Sequence, residues 1–345
     1  MSTPVLSIRG LEVGARSRHG MLRPLRGIDL DLPRATTTGL VGESGCGKSM
    51  TARALLNITP NPMRITAGSV RLDDGAAGSI DLARLDPDGA PMRAIRGRRL
   101  AMIFQEPMTA FSPVHTIGNQ IAEMLLIHEK LNKRAARERS IEMLDLVGMP
   151  NARQRFDAFP FNLSGGMRQR AMIAMALACR PDVLVADEPT TALDVTIQAQ
   201  ILELLQRLQE ELGMTVLLIT HDLGVVARTT SRVAVMYLGQ VVEETTTEAL
   251  FDTPMHPYTQ GLLGSVPRLG SRKGGKRERL PAMRGSVPPA LSELPGCAFH
   301  PRCPKAVPGL CDVVKPAMAE VAEGHKARCL LYPEVLAASK ALEAA

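Results

Sequence analysis

The segment Gly42–Ser49 narrows the choice of fold more than any other part of this 345-residue chain. Its sequence, Gly-Glu-Ser-Gly-Cys-Gly-Lys-Ser, matches the phosphate-binding pattern G-x-x-x-x-G-K-S/T. The apolar strand candidate Thr38–Val41 precedes it, and a predicted helix over residues 51–56 follows it. The glycines allow backbone N–H groups to turn inward around phosphate oxygens, and the helix adds the positive end of its dipole. We therefore predict a phosphate site, rather than an ordinary glycine-rich turn, in which Lys48 reaches the terminal phosphates and Ser49 ligates Mg²⁺.

Hydrophobic periodicity places this loop in an α/β fold. The runs Val183–Ala186 and Val216–Ile219 are short and uninterrupted, as in strands buried on both faces of a parallel sheet. Between them an apolar stripe with helical spacing ends at Gly213, which predicts a strand–helix–strand unit. Alternating apolar residues before residue 73 predict an antiparallel sheet, and three- and four-residue spacing over residues 117–148 predicts a small helical region.

Two carboxylates follow one of the buried strands. The segment Val183–Pro189 delivers Asp187 at the carboxyl end of its strand, where open α/β sheets bind their ligands. An Asp at that position can hold Mg²⁺ through water. Glu188, one residue further, is placed to orient and deprotonate a water that attacks a phosphoryl group. A lone Asp-Glu pair is usually a surface feature, so this prediction depends on the strand before it.

The segment Leu163–Arg170, Leu-Ser-Gly-Gly-Met-Arg-Gln-Arg, precedes a predicted apolar helix. Alone, a serine before two glycines is an N-cap in a flexible turn. Together with the phosphate loop and the Asp-Glu strand end, this segment closely resembles the signature sequence of the ATP-binding cassette (ABC) ATPases. Three more segments extend the resemblance: Gln105 in Ile103–Pro107 resembles the family's Q-loop, Ala192–Asp194 its D-loop, and His221 in Ile219–Asp222 its switch histidine.

This resemblance implies a fold and a reaction. The expected fold is an α/β, P-loop (RecA-like) ABC ATPase core with an antiparallel β subdomain and a helical subdomain, plus a small cysteine-containing C-terminal region. The expected reaction is ATP hydrolysis coupled to transmembrane transport. Two cassettes are expected to pack head to tail, with each ATP between one subunit's phosphate loop and the other's signature helix.

The resemblance also implies a role for each motif residue. The residues expected to bind ATP are Gly42, Glu43, Ser44, Gly45, Cys46, Gly47, Lys48, Ser49 and Met50. Those expected to act in catalysis are Glu188, His221 and Gln105, and those expected to hold Mg²⁺ are Ser49, Gln105 and Asp187. Those expected to reach the partner's ATP are Ser164, Gly165, Gly166 and Gln169, with Asp194 in the D-loop.

The residue that stacks on adenine is the one part of the family pattern that this chain lacks. The family usually places an aromatic residue about 25–35 positions before the lysine, and this chain has no aromatic residue before Phe104. Arg16, Arg18 or His19 is the alternative, since a planar cation can stack on a base.

Three segments resemble a narrower group, the ATP-binding subunits of bacterial and archaeal dipeptide, oligopeptide and nickel importers. These segments are residues 101–113, where Phe111 departs from the group's usual Leu or Asn, residues 256–263 and residues 296–304. The resemblance implies a second, similar ATPase in a heterodimer, two membrane permeases and an external solute-binding protein. It also implies a peripheral location on the cytoplasmic face of the inner membrane.

Composition bears on the competing classes. The formal net charge of +6 suits a nucleotide, a nucleic acid or a membrane surface, but aromatic residues make up only 3% of the chain, which disfavours binding of nucleic acid by base stacking. No apolar run approaches the ~18 residues of a membrane span. A soluble ABC ATPase of DNA repair or translation remains the alternative, although the long insertions and second cassette of those relatives are lacking. An exporter ATPase is the other alternative, and the importer-like tail disfavours it.

The composition of the C-terminal part indicates that the domain organisation changes there. We expect a nucleotide-binding domain over residues 1–265, with its helical subdomain at about 107–164, a basic linker rich in Pro and Gly over 266–295, and a loop-like cysteine-rich region over 296–345. Four cysteines in that region, Cys297, Cys303, Cys311 and Cys329, lack the C-x₂-C pairs of zinc ribbons. The tail's resemblance to the importer subunits favours a four-iron, four-sulfur cluster (4Fe-4S) on these thiolates. Zinc, with His300 or His325, and reduced thiols that pack the tail remain open.

Overall fold

Two β-sheets carry the fold in the computed structural model, which describes residues 3–18, 20–191, 193–265, 283, 285–289, 291 and 295–343. The strands are β1 (Leu6–Ser17), β2 (Gly20–Leu32), β3 (Thr37–Val41), β4 (Arg64–Asp73), β5 (Ser79–Asp81), β6 (Leu100–Ile103), β7 (Val183–Asp187), β8 (Thr215–Ile219), β9 (Arg232–Tyr237), β10 (Gln240–Thr246), β11 (Ala319–Ala322) and β12 (His325–Ala327). The α-helices are α1 (Lys48–Leu55), α2 (Ala90–Ile95), α3 (Pro107–Ala110), α4 (Ile117–His128), α5 (Lys133–Leu146), α6 (Ala152–Arg155), α7 (Gly165–Leu177), α8 (Val195–Leu212), α9 (Leu223–Thr229), α10 (Thr247–Asp252), α11 (Pro257–Gly264) and α12 (Pro333–Glu343).

The main sheet has the strand order β11-β12-β10-β9-β3-β8-β7-β6 among the described residues. Its five strands from β9 to β6 run parallel, and β10 and the two tail strands add antiparallel partners on one side. The smaller sheet, β2-β1-β4-β5, is antiparallel throughout. Both sheets and the strand–helix–strand unit β7-α8-β8 confirm the sequence prediction. Because β3, β6, β7 and β8 are parallel, their carboxyl ends meet at one edge, where the candidate site lies.

Each central strand of the main sheet divides its side chains between two cores. On β7, Val183 and Val185 pack against the antiparallel sheet, whereas Leu184 and Ala186 pack against the helical region. All four are fully buried, which explains the uninterrupted apolar run. Burial of a Val or Leu side chain contributes about 1.5–3 kcal/mol, so these short strands anchor both layers.

The C-terminal region is more regular than the sequence suggested. The expectation of a loop-like tail was wrong, because β11 and β12 join the edge of the main sheet and α12 is an eleven-residue helix. The Ser339 hydroxyl donates to the Val335 carbonyl at 2.6 Å and accepts from the Ala317 amide at 2.9 Å, which fixes α12 on the chain before β11. The predicted linker over 266–295 lies mostly outside the described residues. The three predicted domain boundaries stay a prediction.

Candidate active site

The phosphate loop joins β3 to α1, and its shape depends on two glycines. A Cβ atom on Gly42 would lie 2.2 Å from the Met236 carbonyl oxygen, and one on Gly47 would lie 2.7 Å from the Pro24 carbonyl oxygen. Both residues also have positive φ angles, 154° and 110°, which side-chain-bearing residues rarely adopt. The loop is therefore held against β2 and β9 in a conformation that only glycine allows.

The Lys48 ammonium lies inside this loop. Its Nζ donates to the Gly42 carbonyl at 2.8 Å and to the Glu43 carbonyl at 3.1 Å, and Lys48 is 5% exposed. The Cys46 sulfur is a third, longer contact of this ammonium at 4.0 Å. A buried ammonium with neutral partners is well placed to exchange them for phosphate oxygens, which carry full negative charge. The predicted role of Lys48 is consistent with this position.

The remaining predicted loop residues occupy different environments. Ser44 and Gly45 are exposed at the tip of the loop, and Met50 packs on the core beneath the antiparallel sheet. Cys46 is 1% exposed, and burial raises the pKa of its thiol. Cys46 therefore fills the tight turn as a small neutral side chain.

Ser49 and Asp187 form a pair of oxygen groups beside the loop. The Ser49 hydroxyl donates to Asp187 Oδ1 at 3.0 Å, and Asp187 is 3% exposed. Burial raises the pKa of Asp187, and the hydrogen bond from Ser49 opposes part of that rise. A hydroxyl and a carboxylate at this spacing are the ligands that Mg²⁺ prefers, directly or through water, so the donor set fits the metal. Gln105, the third predicted ligand, donates its amide to Glu188 instead.

Glu188 is the focus of a polar network at the ends of β6, β7 and β8. Its carboxylate accepts from Gln105 Nε2 at 3.1 Å and from the Thr191 hydroxyl at 2.9 Å, and it lies 3.1 Å from His221 Nδ1. Burial raises the pKa of Glu188, but the hydrogen bonds from His221 and Thr191, together with electrostatic attraction to His221 and Lys48, leave the pKa below its usual value. The carboxylate is therefore ionised at neutral pH, as a proton acceptor must be.

The backbone of Glu188 is strained as well. Its φ angle is +46°, in the left-handed region that residues with side chains seldom occupy, and its N–H donates to the Ile219 carbonyl at 2.9 Å. Such strain persists only where surrounding structure imposes it, and it is common at active sites. The two neighbouring carboxylates have different partners, Ser49 for Asp187 and the Gln105 and Thr191 side chains for Glu188.

The predicted signature residues lie at the start of α7. Ser164 caps the helix, and its hydroxyl accepts from the Met167 amide at 3.4 Å. Ser164 and Gly165 are exposed, so the helix N-terminus is open to an anion. Gln169 departs from the prediction, because it lies on the inward side of α7 and is 2% exposed. It is not available to a partner's nucleotide in this arrangement.

Asp194 is the N-cap residue of α8. Its carboxylate caps α8 by accepting from the Ile197 amide at 2.9 Å. Ala192 of the predicted D-loop lies outside the described residues, as does His19. Arg16 and Arg18 are exposed near the β1–β2 turn, and their role in adenine stacking stays a prediction.

Comparison with known proteins places this geometry in a family. The model for ABC transporters matches residues 25–191, and the model for the C-terminal region of oligopeptide/dipeptide transporters matches residues 242–311. The chain is 46% identical to the dipeptide transport ATP-binding protein DppD of Bacillus subtilis, over 96% of this chain and 95% of that one. It is 45% identical to the oligopeptide transport ATP-binding protein AppD of the same organism, over 97% and 98%. The chain belongs to the peptide-import family of ABC transporter ATP-binding proteins.

A solved relative supports the same fold. The dimeric structure of the ATP-binding cassette MJ0796, bound to ADP and Pi, superposes with a TM-score of 0.62 at 26% identity, over 70% of this chain and 98% of that one. The ABC cassette fold and the ATPase activity expected from the motifs are thereby confirmed. Within the part of the chain that the structure describes, no helix is both long and apolar enough to cross a bilayer.

The tail cysteines of this ABC protein do not assemble into a metal site in the structure. All four are free thiols, and burial raises the pKa of Cys297 to about 12 and that of Cys329 to about 11. Among the described residues, no group of three or more His, Cys, Asp or Glu could hold a metal ion. As placed, these residues fit neither the iron–sulfur cluster nor zinc.

The two histidines considered as zinc ligands have other partners. His300 Nδ1 lies 2.8 Å from the Cys297 carbonyl oxygen, and His325 Nε2 lies 2.7 Å from Glu243 Oε1 in a fully buried contact. His325 thereby ties β12 to β10 of the cassette.

Two residues beside the phosphate loop were not predicted to contribute to it. The Glu43 amide donates to the Tyr258 hydroxyl at 2.8 Å, and the Arg302 guanidinium donates to both carboxylate oxygens of Glu43 at 2.6 and 3.0 Å. Both residues belong to the importer-like segments 256–263 and 296–304. The resemblance of those segments to importer subunits was the sequence feature that singled them out. Nothing in their sequence indicates that they contact the phosphate loop.

Proposed function

We propose that this chain drives the import of di- or oligopeptides by closing on ATP with a second cassette and reopening after hydrolysis. The observation that carries the proposal is the Glu188 network at the end of β7, combined with full-length similarity to dipeptide and oligopeptide transport subunits. Nickel or a related solute is the other cargo that the sequence allows.

The site residues divide the work of hydrolysis. Glu188 accepts a proton from the attacking water, while His221 and Gln105 orient that carboxylate. Lys48 exchanges its loop carbonyls for the terminal phosphates. Ser49 and Asp187 would hold Mg²⁺, which would supply positive charge to neutralise the phosphates. Loss of the phosphate bridge between two cassettes releases the closed state.

The signature helix supports pairing with a second cassette. Ser164 and Gly165 are exposed, and no hydrogen bond among the described residues joins them to residues 42–49. An open helix N-terminus of this kind suits the terminal phosphate of another subunit's ATP. The ATP-binding cassette MJ0796 has been solved as a dimer. We propose a similar ATPase as the partner, two permeases at the cytoplasmic face of the inner membrane, and an external solute-binding protein.

Reconstitution tests this proposal. The chain, its partner ATPase and two permeases are placed in vesicles with the solute-binding protein, and ATP turnover and uptake of labelled peptide are measured together. We expect peptide to stimulate turnover and the isolated chain to be a poor ATPase. Uptake of nickel but not of peptide would show that peptide is not the cargo. Full turnover by the dilute isolated chain would contradict the paired mechanism.

The iron–sulfur cluster stays a prediction for this tail. One backbone amide supports it, because Cys311 Sγ accepts from the Val307 amide at 3.4 Å. Hydrogen bonds of this kind stabilise metal-bound thiolate. A cluster would require the four thiols to move together. Anaerobic protein with about four iron and four sulfide per chain would support it, whereas stoichiometric zinc, or no metal, would favour the alternatives.

A further inference from the structure

The phosphate loop of this protein is held from outside the nucleotide-binding core by two side chains that lie far along the sequence. Tyr258 is 215 residues from Glu43 and Arg302 is 259 residues from it. We propose that Tyr258 and Arg302, together called the strap, are positioning residues that set the affinity of the loop for MgATP. This inference rests on the nucleotide site of the proposed function. It adds that residues C-terminal to the nucleotide-binding core influence the affinity of that site.

Arg302 forms the stronger half of the strap. Its side chain is 5% exposed, and it makes two parallel hydrogen bonds to a Glu43 carboxylate that is 27% exposed. The hydrogen bonds to Glu43 raise the pKa of Arg302 above its usual value. Paired bonds between ions are shorter and stronger than neutral ones, and they fix direction as well as distance. The Glu43 side chain is therefore locked in one orientation.

Tyr258 fixes the backbone of the same residue. Its hydroxyl accepts a hydrogen bond from the Glu43 amide. Its ring is fully buried against Tyr237 and Phe299, with centroid distances of 4.7 and 5.4 Å. Arg302 lies over the same two rings, at 5.7 and 6.0 Å from their centroids. One aromatic cluster thus positions both members of the strap.

Glu43 connects the strap to Lys48. The carbonyl of Glu43 is one of the two that accept the Lys48 ammonium. Because the amide and the side chain of Glu43 are both held by the strap, the direction of its carbonyl is held as well. Loss of the strap would let this corner of the loop rotate and would enlarge the set of loop conformations that ATP must order.

The tail has attachments that do not include the strap. The tail is fixed separately by pairing of β12 with β10 and by the bond from His325 to the buried Glu243. Neither of these contacts includes residues 42–49. The bond from Arg302 to Glu43 is therefore one attachment among several, and its specific effect falls on the loop.

Nucleotide binding by the full chain tests the strap. We expect Arg302→Met to weaken MgATP affinity, measured by calorimetry, about tenfold, since a charge-assisted pair is lost. Arg302→Lys, which keeps the charge but not the paired geometry, should lie between Arg302→Met and wild type. Tyr258→Phe should weaken binding a few-fold. The matched control is Arg232→Met, which removes a partly buried pair with Glu244 at the opposite end of β9.

The enzyme kinetics separate positioning from catalysis. In the reconstituted transporter, Arg302→Met should raise KM for ATP while kcat at saturating ATP stays within about twofold, because the carboxylate that Arg302 pairs with belongs to the phosphate loop. Equal MgATP affinity in Arg302→Met, Arg232→Met and wild type would overturn the inference. If Arg302→Met fails to fold, unchanged affinity in both Arg302→Lys and Tyr258→Phe would overturn it. A wild-type chain that does not bind MgATP would overturn the nucleotide site and the strap together.

Discussion

At the scale of single residues, the Glu188 carboxylate shows how one side chain is prepared for its task by its neighbours. Gln105, Thr191 and His221 come from three different segments and converge on it. Their hydrogen bonds favour the charged form, and Glu188 is held with a positive φ angle directly after Asp187. The proposed roles in proton acceptance and metal binding thus fall to two adjacent carboxylates with different surroundings.

Glu188→Gln tests this division of roles. The amide keeps the size of the side chain but cannot accept a proton, so turnover at this subunit's own site should fall by about 10²–10⁴. MgATP binding should persist, since Lys48, Ser49 and Asp187 are untouched. Steady-state turnover and calorimetric binding are measured on the same preparation. Near wild-type single-site turnover would refute the assignment.

His256 links a buried residue to the pH dependence of folding. It is 1% exposed, its Nδ1 accepts from the Tyr258 amide at 3.0 Å, and burial lowers its pKa from 6.5 to about 4. Between these values the unfolded chain binds a proton that the folded chain does not, so stability falls as pH decreases from about 6.5 to 4. The loss attributable to His256 should approach about 3 kcal/mol.

His256→Asn removes this titration and keeps an acceptor near the Tyr258 amide. The free energy of unfolding in urea should therefore fall less between pH 6.5 and pH 4 in the variant than in wild type. His115→Asn, at an exposed histidine, is the control and should keep the wild-type slope. Identical slopes in wild type and His256→Asn would show that His256 does not cause the effect.

At the scale of elements, helix α7 has an exposed start and a buried body. Ser164 caps the helix at the surface, whereas Gln169 and the apolar residues that follow pack inward. The first turn is thus free to contact another molecule while the rest of the helix is fixed. This arrangement suits a rigid surface offered to a second subunit.

Ser164→Arg tests that surface. The larger cation should block ATP-dependent association with the partner cassette, measured by size-exclusion chromatography in the Glu188→Gln background, while MgATP binding at Lys48 stays within about twofold. Loss of the cap itself costs about 1 kcal/mol. Thr116→Arg removes the comparable cap of α4 and should leave association intact. Equal loss of MgATP binding at both sites would argue against head-to-tail pairing.

At the scale of the whole molecule, what the sequence predicts depends on how far apart the contacting residues lie. Gln105, Glu188 and His221 are predictable because each follows a parallel strand, and parallel strands deliver their carboxyl ends to one edge. The contact of Arg302 with Glu43 follows no such rule, since it depends on how the tail packs across the finished sheet. The inward side of Gln169 was missed because motif order does not specify which face of α7 is buried.

The addition of β12 and β11 to the main sheet has a consequence for solubility. Among the described residues the outermost strand on that side is β11, with four residues, whereas a chain ending at residue 295 would expose the seven-residue β10. An unpaired strand edge is a template for joining other chains, and here it would also carry Glu243 without its histidine. We expect such a shortened chain to aggregate, and its aggregation would indicate that the C-terminal strands protect the edge of β10.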